Sequence, residues 1–288
     1  MVKFHSFYKT VGGGEGEKCF YPTRLDLYGK GCAFNCCYCY GKQLLDFRKL
    51  WNPSNPSVAP LIDVYRTINE IPFGSVVRLG GMTDCLQPIE LKYRLTYNAI
   101  KLMNKKGIHY LIVTKSDMIA NKEYLDILNP NLAHIQVSIP TNDDNILNAT
   151  DNAPNFESRK DTVETLFDNG FDVSLRLSPF FYETVDYDVI NDINVDKCLV
   201  EFLRVKPSLK NELKDVVTFN KYTVNEGGYR HLRLSEKLNI LNKLEFKQLS
   251  VCDDVKEHYN YFKKYLNYNQ NDCCNLRLKH ENRKNQNN

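Results

Sequence analysis

The sequence of 288 residues lacks any long apolar run. No stretch approaches the roughly 18 apolar residues that a membrane span needs. The opening MVKFHSFYKT has no hydrophobic segment of the secretory kind. The expectation is a cytoplasmic protein with no membrane partner. A strong charge of either sign is also missing: 38 Lys and Arg against 35 Asp and Glu leave a net charge of +3. That removes a chain-wide electrostatic case for nucleic acid and leaves room for a local basic groove, because steering depends on distribution. There is no internal repeat. The one biased segment is an Asn-rich, weakly basic tail (Arg277, Lys279, Arg283 and Lys284 against Glu281), read as a frayed terminus. With 42% hydrophobic and 25% charged residues, the chain has the composition of a globular protein with a sizeable core.

The ten cysteines need a reason. In a cytoplasmic chain they are metal ligands or catalytic groups more often than disulfides. They are unevenly placed. Four fall between Cys32 and Cys39, three fall late at Cys252, Cys273 and Cys274, and Cys19, Cys85 and Cys198 stand alone.

Short apolar runs read as buried strands at residues 24–28 (RLDLY), 75–80 (SVVRLG), 109–115 (HYLIVTK), 134–140 (HIQVSIP), 172–178 (DVSLRLS) and 197–204 (KCLVEFLR). Amphipathic helices lie between them. One carries Leu91, Leu95, Ala99, Leu102 and Met103 and ends at Lys105-Lys106-Gly107; another carries Val163, Leu166 and Phe167 and ends at Gly170. Six strand–helix alternations point to a parallel sheet, either curled into a partial barrel or left open and doubly wound. After residue 206 the alternation weakens. Ser235-Glu236 with Leu238, Leu241 and Leu244 suggests a capped helix, 246–252 a seventh strand and 254–266 another helix. The organisation expected is an N-terminal segment (1–23) with a flexible GGGEGEK loop at 12–18, an α/β unit (24–205) and a C-terminal extension (206–288).

The segment 31–40 reads GCAFNCCYCY and sets Cys32, Cys36 and Cys39 in C-x3-C-x2-C spacing just after the first expected strand. Three thiolates on one loop can each reach a different iron of a cubane. The fourth iron is then open to a small chelating molecule, as in an open catalytic metal site. The bland alternatives are structural zinc or plain buried cysteines. Zinc prefers paired C-x2-C halves, and no second half follows. Cys37 is a spare thiol in this count.

C-x3-C-x-aromatic-C, with Tyr38 as the aromatic, resembles the signature of the radical S-adenosylmethionine superfamily. The residues from Gly80 to Glu90 (GGMTDCLQPIE) resemble the GG-x-TDPYQP-x-E segment of its spore photoproduct lyase-like branch, the DNA repair photolyase-like proteins. Val113-Thr114-Lys115-Ser116, Val137-Ser138-Ile139-Pro140-Thr141, and Asn152-Ala153-Pro154 with Arg159 resemble later segments in the same order. The likeness runs from residue 24 to about 180.

The resemblance implies an α/β fold of partial (β/α)6 TIM-type barrel form, followed by the C-terminal extension. It places a [4Fe-4S] cluster on Cys32, Cys36 and Cys39 at the C-terminal ends of the strands. Gly80 and Gly81 approach the methionine amine of S-adenosylmethionine closely, and Thr83 and Asp84 serve it. Lys115 and, less directly, Arg176 suit the carboxylate, Ser138 a ribose hydroxyl and Tyr38 the adenine. The implied reaction is reductive cleavage of S-adenosylmethionine to a 5′-deoxyadenosyl radical that abstracts hydrogen from substrate, with flavodoxin or ferredoxin as reductant. Taken singly, a strand-end Lys is usually a solvated cap and Gly-Gly merely a turn; their joint position at consecutive strand ends raises the functional reading.

Cys85 stands where the branch has Pro, next to Asp84. It is a candidate catalytic hydrogen donor to a product radical, with a small buried hydrophobe as the alternative. Cys252, Cys273 and Cys274 suggest a second cluster or zinc, needing a fourth ligand from Cys198, Asp253 or His280. The alternative is a reduced structural trio. Three functions remain open: a lyase or modifying enzyme acting on nucleic acid or nucleobase, the same chemistry on a peptide or small molecule, and a non-catalytic iron–sulfur or zinc module.

Overall fold

Strand β8 (Asp172–Phe180) shows why the sheet forms. Val173, Leu175 and Leu177 enter the hydrophobic core, while Asp172, Ser174 and Arg176 are also buried. Such alternation usually marks a strand with one wet face. Here both faces are covered, and the polar one turns inward. The same holds for β7 (Ala133–Ser138), where His134, Gln136 and Ser138 alternate with Ala133, Ile135 and Val137, all buried.

The structure is a computed structural model that describes residues 8–10 and 19–278. Besides β7 and β8, its main sheet contains β1 (Tyr8–Thr10), β2 (Thr23–Leu25), β5 (Val76–Leu79), β6 (His109–Thr114), β9 (Lys197–Phe202) and β12 (Gln248–Val251), in the order β1-β2-β5-β6-β7-β8-β9-β12. From β2 to β12 every pairing is parallel, and β1 joins β2 antiparallel. The result is α/β with seven parallel strands and no closing pair between β1 and β12. It is the partial barrel expected, with the C-terminal region supplying the seventh strand. Two small ribbons lie outside the sheet: β3 (Tyr28–Gly29) with β4 (Ser57–Val58), and the hairpin β10 (Tyr222–Glu226) with β11 (Tyr229–Leu232).

Several local expectations are corrected. The helix expected through Leu91 breaks at Arg94, which adopts a left-handed φ of 55° between the short turn Glu90–Tyr93 and the helix Leu95–Lys106. Leu91 therefore sits exposed, away from the stripe. Ser235 is no cap, because the helix Leu234–Leu241 begins on Arg233 and makes no side-chain capping bond. Leu244 lies beyond its end. The ending at Gly107 is as expected: its φ of 64° lets its N–H return to the carbonyls of Asn104 and Met103. Lys279, His280, Glu281, Arg283, Lys284 and the loop at 12–18 lie outside the described residues.

Candidate active site

The cysteine loop is held from three sides. Gln87, fully buried, accepts from Ala33 N–H at 2.9 Å and donates to Gly31 O at 3.4 Å. Cys37 N–H donates to Thr150 O at 2.9 Å, and Asn152 N–H to Phe34 O at 2.8 Å. Asn35 turns the loop with a left-handed φ of 41°, and its side chain accepts from Trp51 Nε1 at 3.2 Å. Gly31 is required by a close approach, since a Cβ there would lie 1.9 Å from Asn52 O.

Cys32, Cys36 and Cys39 all line one cavity of about 140 Å³. Cys37 lines a different one, against Lys42 and Glu212. The spare thiol is thereby sorted from the three. Burial pushes the Cys36 thiol up to about 11 and that of Cys32 higher, so loading a metal has to displace their protons. Among the described residues no three His, Cys, Asp or Glu side chains stand close enough to grip a single ion as they are. A cubane asks for something else, three thiolates spread over three irons facing one open volume, and the loop fits that demand.

Gly80, Gly81, Thr83, Asp84, Lys115 and Ser138 line the same cavity. Gly80 has a φ of 79°, and a Cβ on it would meet Thr83 O at 2.7 Å, so the turn after β5 admits only glycine. Asp26 Oδ1 accepts from the N–H groups of Gly81 (2.5 Å) and Met82 (3.1 Å) and fixes that turn. The Asp84 carboxylate accepts from Leu86 N–H (2.9 Å), Thr114 Oγ1 (2.8 Å) and Lys115 N–H (2.9 Å). Its acceptor sites are engaged by protein, so it acts here on the end of β6 and the placement of Lys115. The Thr83 hydroxyl likewise donates to Tyr28 O at 2.9 Å. The Lys115 ammonium lies 5.3 Å from the Tyr38 ring centre.

A second cavity of about 220 Å³ adjoins the first and shares Cys36, Cys39, Tyr40, Arg78, Lys115 and Ser138 with it. Tyr38 lines it and donates to Asp151 Oδ2 at 2.9 Å. Arg24, Arg78, Lys115, Arg176 and Arg204 give it five cations against Glu201 and Asp254. Arg176 lines this second cavity and not the first. Its guanidinium donates to Gln136 Oε1 and Glu201 Oε2, each at 2.6 Å. Burial works against the Glu201 carboxylate, yet Arg176 and Ser178 hold it down to about 2.

Cys85 does not join the site. It is 1% exposed, packs within the hydrophobic core and lines neither cavity. Gly80 to Asp84 line the cavity, and at Cys85 the chain turns into the core. The hydrogen-donor expectation loses its footing, and the small buried hydrophobe is the better description. The sequence reading also missed supporting residues inside its own motif. Glu90, fully buried, accepts from the hydroxyls of Tyr28 and Tyr124 and from Thr96 N–H and Tyr97 N–H (both 2.9 Å). Arg159, equally buried, donates to Asp151 Oδ1 (2.7 Å), Pro154 O (2.6 Å) and Ser138 O (3.3 Å).

The profile of the Radical SAM superfamily matches residues 27–193. The chain belongs to the radical S-adenosylmethionine superfamily. An uncharacterized protein of Methanocaldococcus jannaschii is 26% identical over 240 residues, covering 77% of this chain and 87% of its own. A structure of spore photoproduct lyase with bound S-adenosylmethionine and dinucleoside spore photoproduct superposes with a TM-score of 0.59 at 14% identity, over 88% of this chain and 76% of that one. A variant of spore photoproduct lyase gives 0.60 at 14%, over 91% and 78%. At that identity the likeness is one of fold. Superfamily membership and fold together support radical S-adenosylmethionine chemistry for this chain and imply its iron–sulfur cluster. No helix among the described residues is long and apolar enough to cross a membrane.

Proposed function

We propose that this radical S-adenosylmethionine enzyme is a lyase or modifying enzyme of the spore photoproduct lyase-like branch and acts on an anionic substrate, nucleic acid or a nucleobase within it. The observation that carries the substrate class is the second cavity. Its five cations against two carboxylates lie beside the cluster loop, which suits phosphate-bearing ligands. Tyr38 and Tyr40 supply aromatic surface in the same wall.

Cys32, Cys36 and Cys39 hold the cluster in this reading. When bound, cluster and S-adenosylmethionine supply reductive cleavage to a 5′-deoxyadenosyl radical able to abstract a hydrogen atom. The protein's part is to bind and orient. Backbone at Gly80 and Gly81 takes the amine, held in place by Asp26, with Thr83 shaping the turn. Lys115 takes the carboxylate and is positioned by Asp84. Ser138 takes a ribose hydroxyl, and Tyr38, held by Asp151, borders the adenine. Arg176 and Glu201 form the floor beneath the substrate. A flavodoxin or ferredoxin is the proposed electron donor and the cytoplasm the proposed location.

The test is anaerobic reconstitution followed by chromatographic assay of 5′-deoxyadenosine, for the wild type and Cys32→Ala, with and without single-stranded oligonucleotides. The reading expects about four irons bound at this site, product only with intact Cys32, and turnover stimulated by the oligonucleotide. Iron binding with no cleavage of S-adenosylmethionine makes the chain a non-catalytic module. Cleavage that peptides stimulate and oligonucleotides do not moves the substrate class.

A further inference from the structure

The late cysteines meet a partner that spacing could not show. Cys252 follows β12, its N–H donating to Val200 O at 2.9 Å. The Asn267 side chain clasps Val251 through two bonds, Val251 N–H to Oδ1 at 2.7 Å and Nδ2 to Val251 O at 3.1 Å, and so brings the following chain back along β12. The Asp272 carboxylate then accepts from Cys274 N–H (2.9 Å), Leu276 N–H (2.9 Å) and the Tyr21 hydroxyl (2.7 Å). Tyr21 is two residues after Cys19. One carboxylate thus ties the Cys273-Cys274 turn to the segment that leads into β2.

The thiols gather at that junction. The neighbouring Cys252 and Cys274 thiols push the Cys273 thiol up, and Cys19 lies within electrostatic reach of Cys252 and Cys274; among the described residues no three of these groups yet stand close enough to grip a single ion. None of the four is in a disulfide. Besides the Asp272 carboxylate, which acts on Cys274, three charged or polar groups face them without being ligands. Arg176 is near Cys252 and Cys274, and Arg78 is near Cys19. Gln136, 1% exposed, has an Nε2 that is buried with no hydrogen-bond partner, and it sits beside the Cys274 sulfur. A neutral thiol is a weak acceptor for such an amide and a metal-bound thiolate a good one. The buried unpaired donor is what a thiolate centre at this place would satisfy.

We propose that Cys19, Cys252, Cys273 and Cys274 form a second, tetrathiolate metal centre that joins the segment leading into β2 to the chain that follows β12. Four soft donors select a thiophilic metal, zinc or iron in an iron–sulfur cluster. Cys19 supplies the fourth ligand. Cys198 is shut in the core at 2% exposure, and Asp253 is paired with Lys237 at 2.6 Å. As at the first loop, the thiols turn toward the metal on binding.

The test uses the full chain carrying Cys32→Ala, Cys36→Ala and Cys39→Ala, so that retained metal does not belong to the first site and the outcome is independent of the catalytic reading. Zinc, iron and sulfide are counted after anaerobic purification and again after incubation with zinc chloride or with ferrous iron and sulfide. The proposal expects about one zinc per chain, or about two to four irons with matching sulfide, and the arms tell the two apart. Adding Cys19→Ser or Cys252→Ser lowers metal affinity at least about 10-fold. Cobalt(II) added to the variant with the quartet intact gives a thiolate-to-metal charge-transfer band that zinc bleaches, a readout that needs no substitution at the site. No metal retained and no such band overturns the proposal. Metal binding indifferent to both Cys19→Ser and Cys252→Ser does so equally.

Discussion

Arg159 and Asp151 offer a way to weigh the framework behind the proposed adenine site. Both side chains are wholly buried, 2.7 Å apart. Arg159→Met keeps most of the volume and removes three donated bonds, to Asp151, Pro154 O and Ser138 O. It also leaves a carboxylate buried without its cation, a loss of about 3–5 kcal/mol. The Tyr38 hydroxyl and Ala153 N–H still donate to Asp151, so the lower end, about 3 kcal/mol, is expected. Asp151→Asn leaves the guanidinium unpaired and falls in the same range. The double variant removes both charges together. Its destabilisation falls short of the sum of the singles by at least about 1.5 kcal/mol, the coupling of a directly bonded pair. The assay is urea unfolding of the cluster-free protein, followed by far-ultraviolet circular dichroism and by tyrosine fluorescence, with the slope m compared across variants. Single effects below about 1 kcal/mol, or additivity within about 0.3 kcal/mol, would refute the assignment of this pair as a framework member.

Three further outcomes are expected. Lys115→Ala weakens S-adenosylmethionine binding by about 10–150-fold, the equivalent of one charge-assisted bond of 1.5–3 kcal/mol; calorimetry on the reconstituted protein checks it, and an unchanged affinity removes Lys115 from the carboxylate. Gln87→Leu frees Ala33 N–H and Gly31 O, so iron is lost to a chelator several-fold faster than from wild type at a melting temperature still compatible with folding; equal release rates would mean that the loop does not depend on this clamp. The third concerns acid. Burial works against the Asp172 carboxylate, but His134 and the Lys197 ammonium hold it down to about 2 from 3.8. That difference contributes about 2 kcal/mol. Because the folded-state value is the lower one, this stability is present above pH 4 and fades as the pH falls toward 2. Asp172→Asn loses it at neutral pH, and its unfolding free energy should then vary less than that of the wild type between pH 5 and pH 2.

The sequence made the cysteine loop and the strand-end residues legible because each is a local pattern: a spacing, a glycine pair, a lysine ending an apolar run. Six strands and a suggested seventh at 246–252 followed from apolar runs separated by helical stripes; their order came from the structure. What escaped notice was set by distant partners. Cys85 read as facing the cavity because it adjoins Asp84, while the run of cavity-lining residues ends at Asp84 and Cys85 enters the core. Gln87, Glu90 and Arg159 stood in recognised segments without a role, since their partners Ala33, Tyr124 and Ser138 come from other elements. Cys19 looked solitary because its neighbours lie over two hundred positions away. The β10–β11 hairpin had a readable signal in Gly227-Gly228, both at positive φ, but its strands are too polar to show an apolar alternation.

The clasp at the foot of the sheet bears on how the chain is made. Asp272 holds Tyr21, the Asn275 carbonyl accepts from Lys197 Nζ at 2.5 Å, and Arg277 N–H donates to Asp172 at 2.7 Å. The contacts that seal β2, β8 and β9 are therefore made only after every strand of the sheet has been synthesised. During translation the strands can align, but their inner polar groups stay open to water until residues 272–277 emerge. A ribosome stalled shortly before that point should display a sheet that is formed yet readily cleaved by protease, and emergence of residues 272–277 should close it in one step.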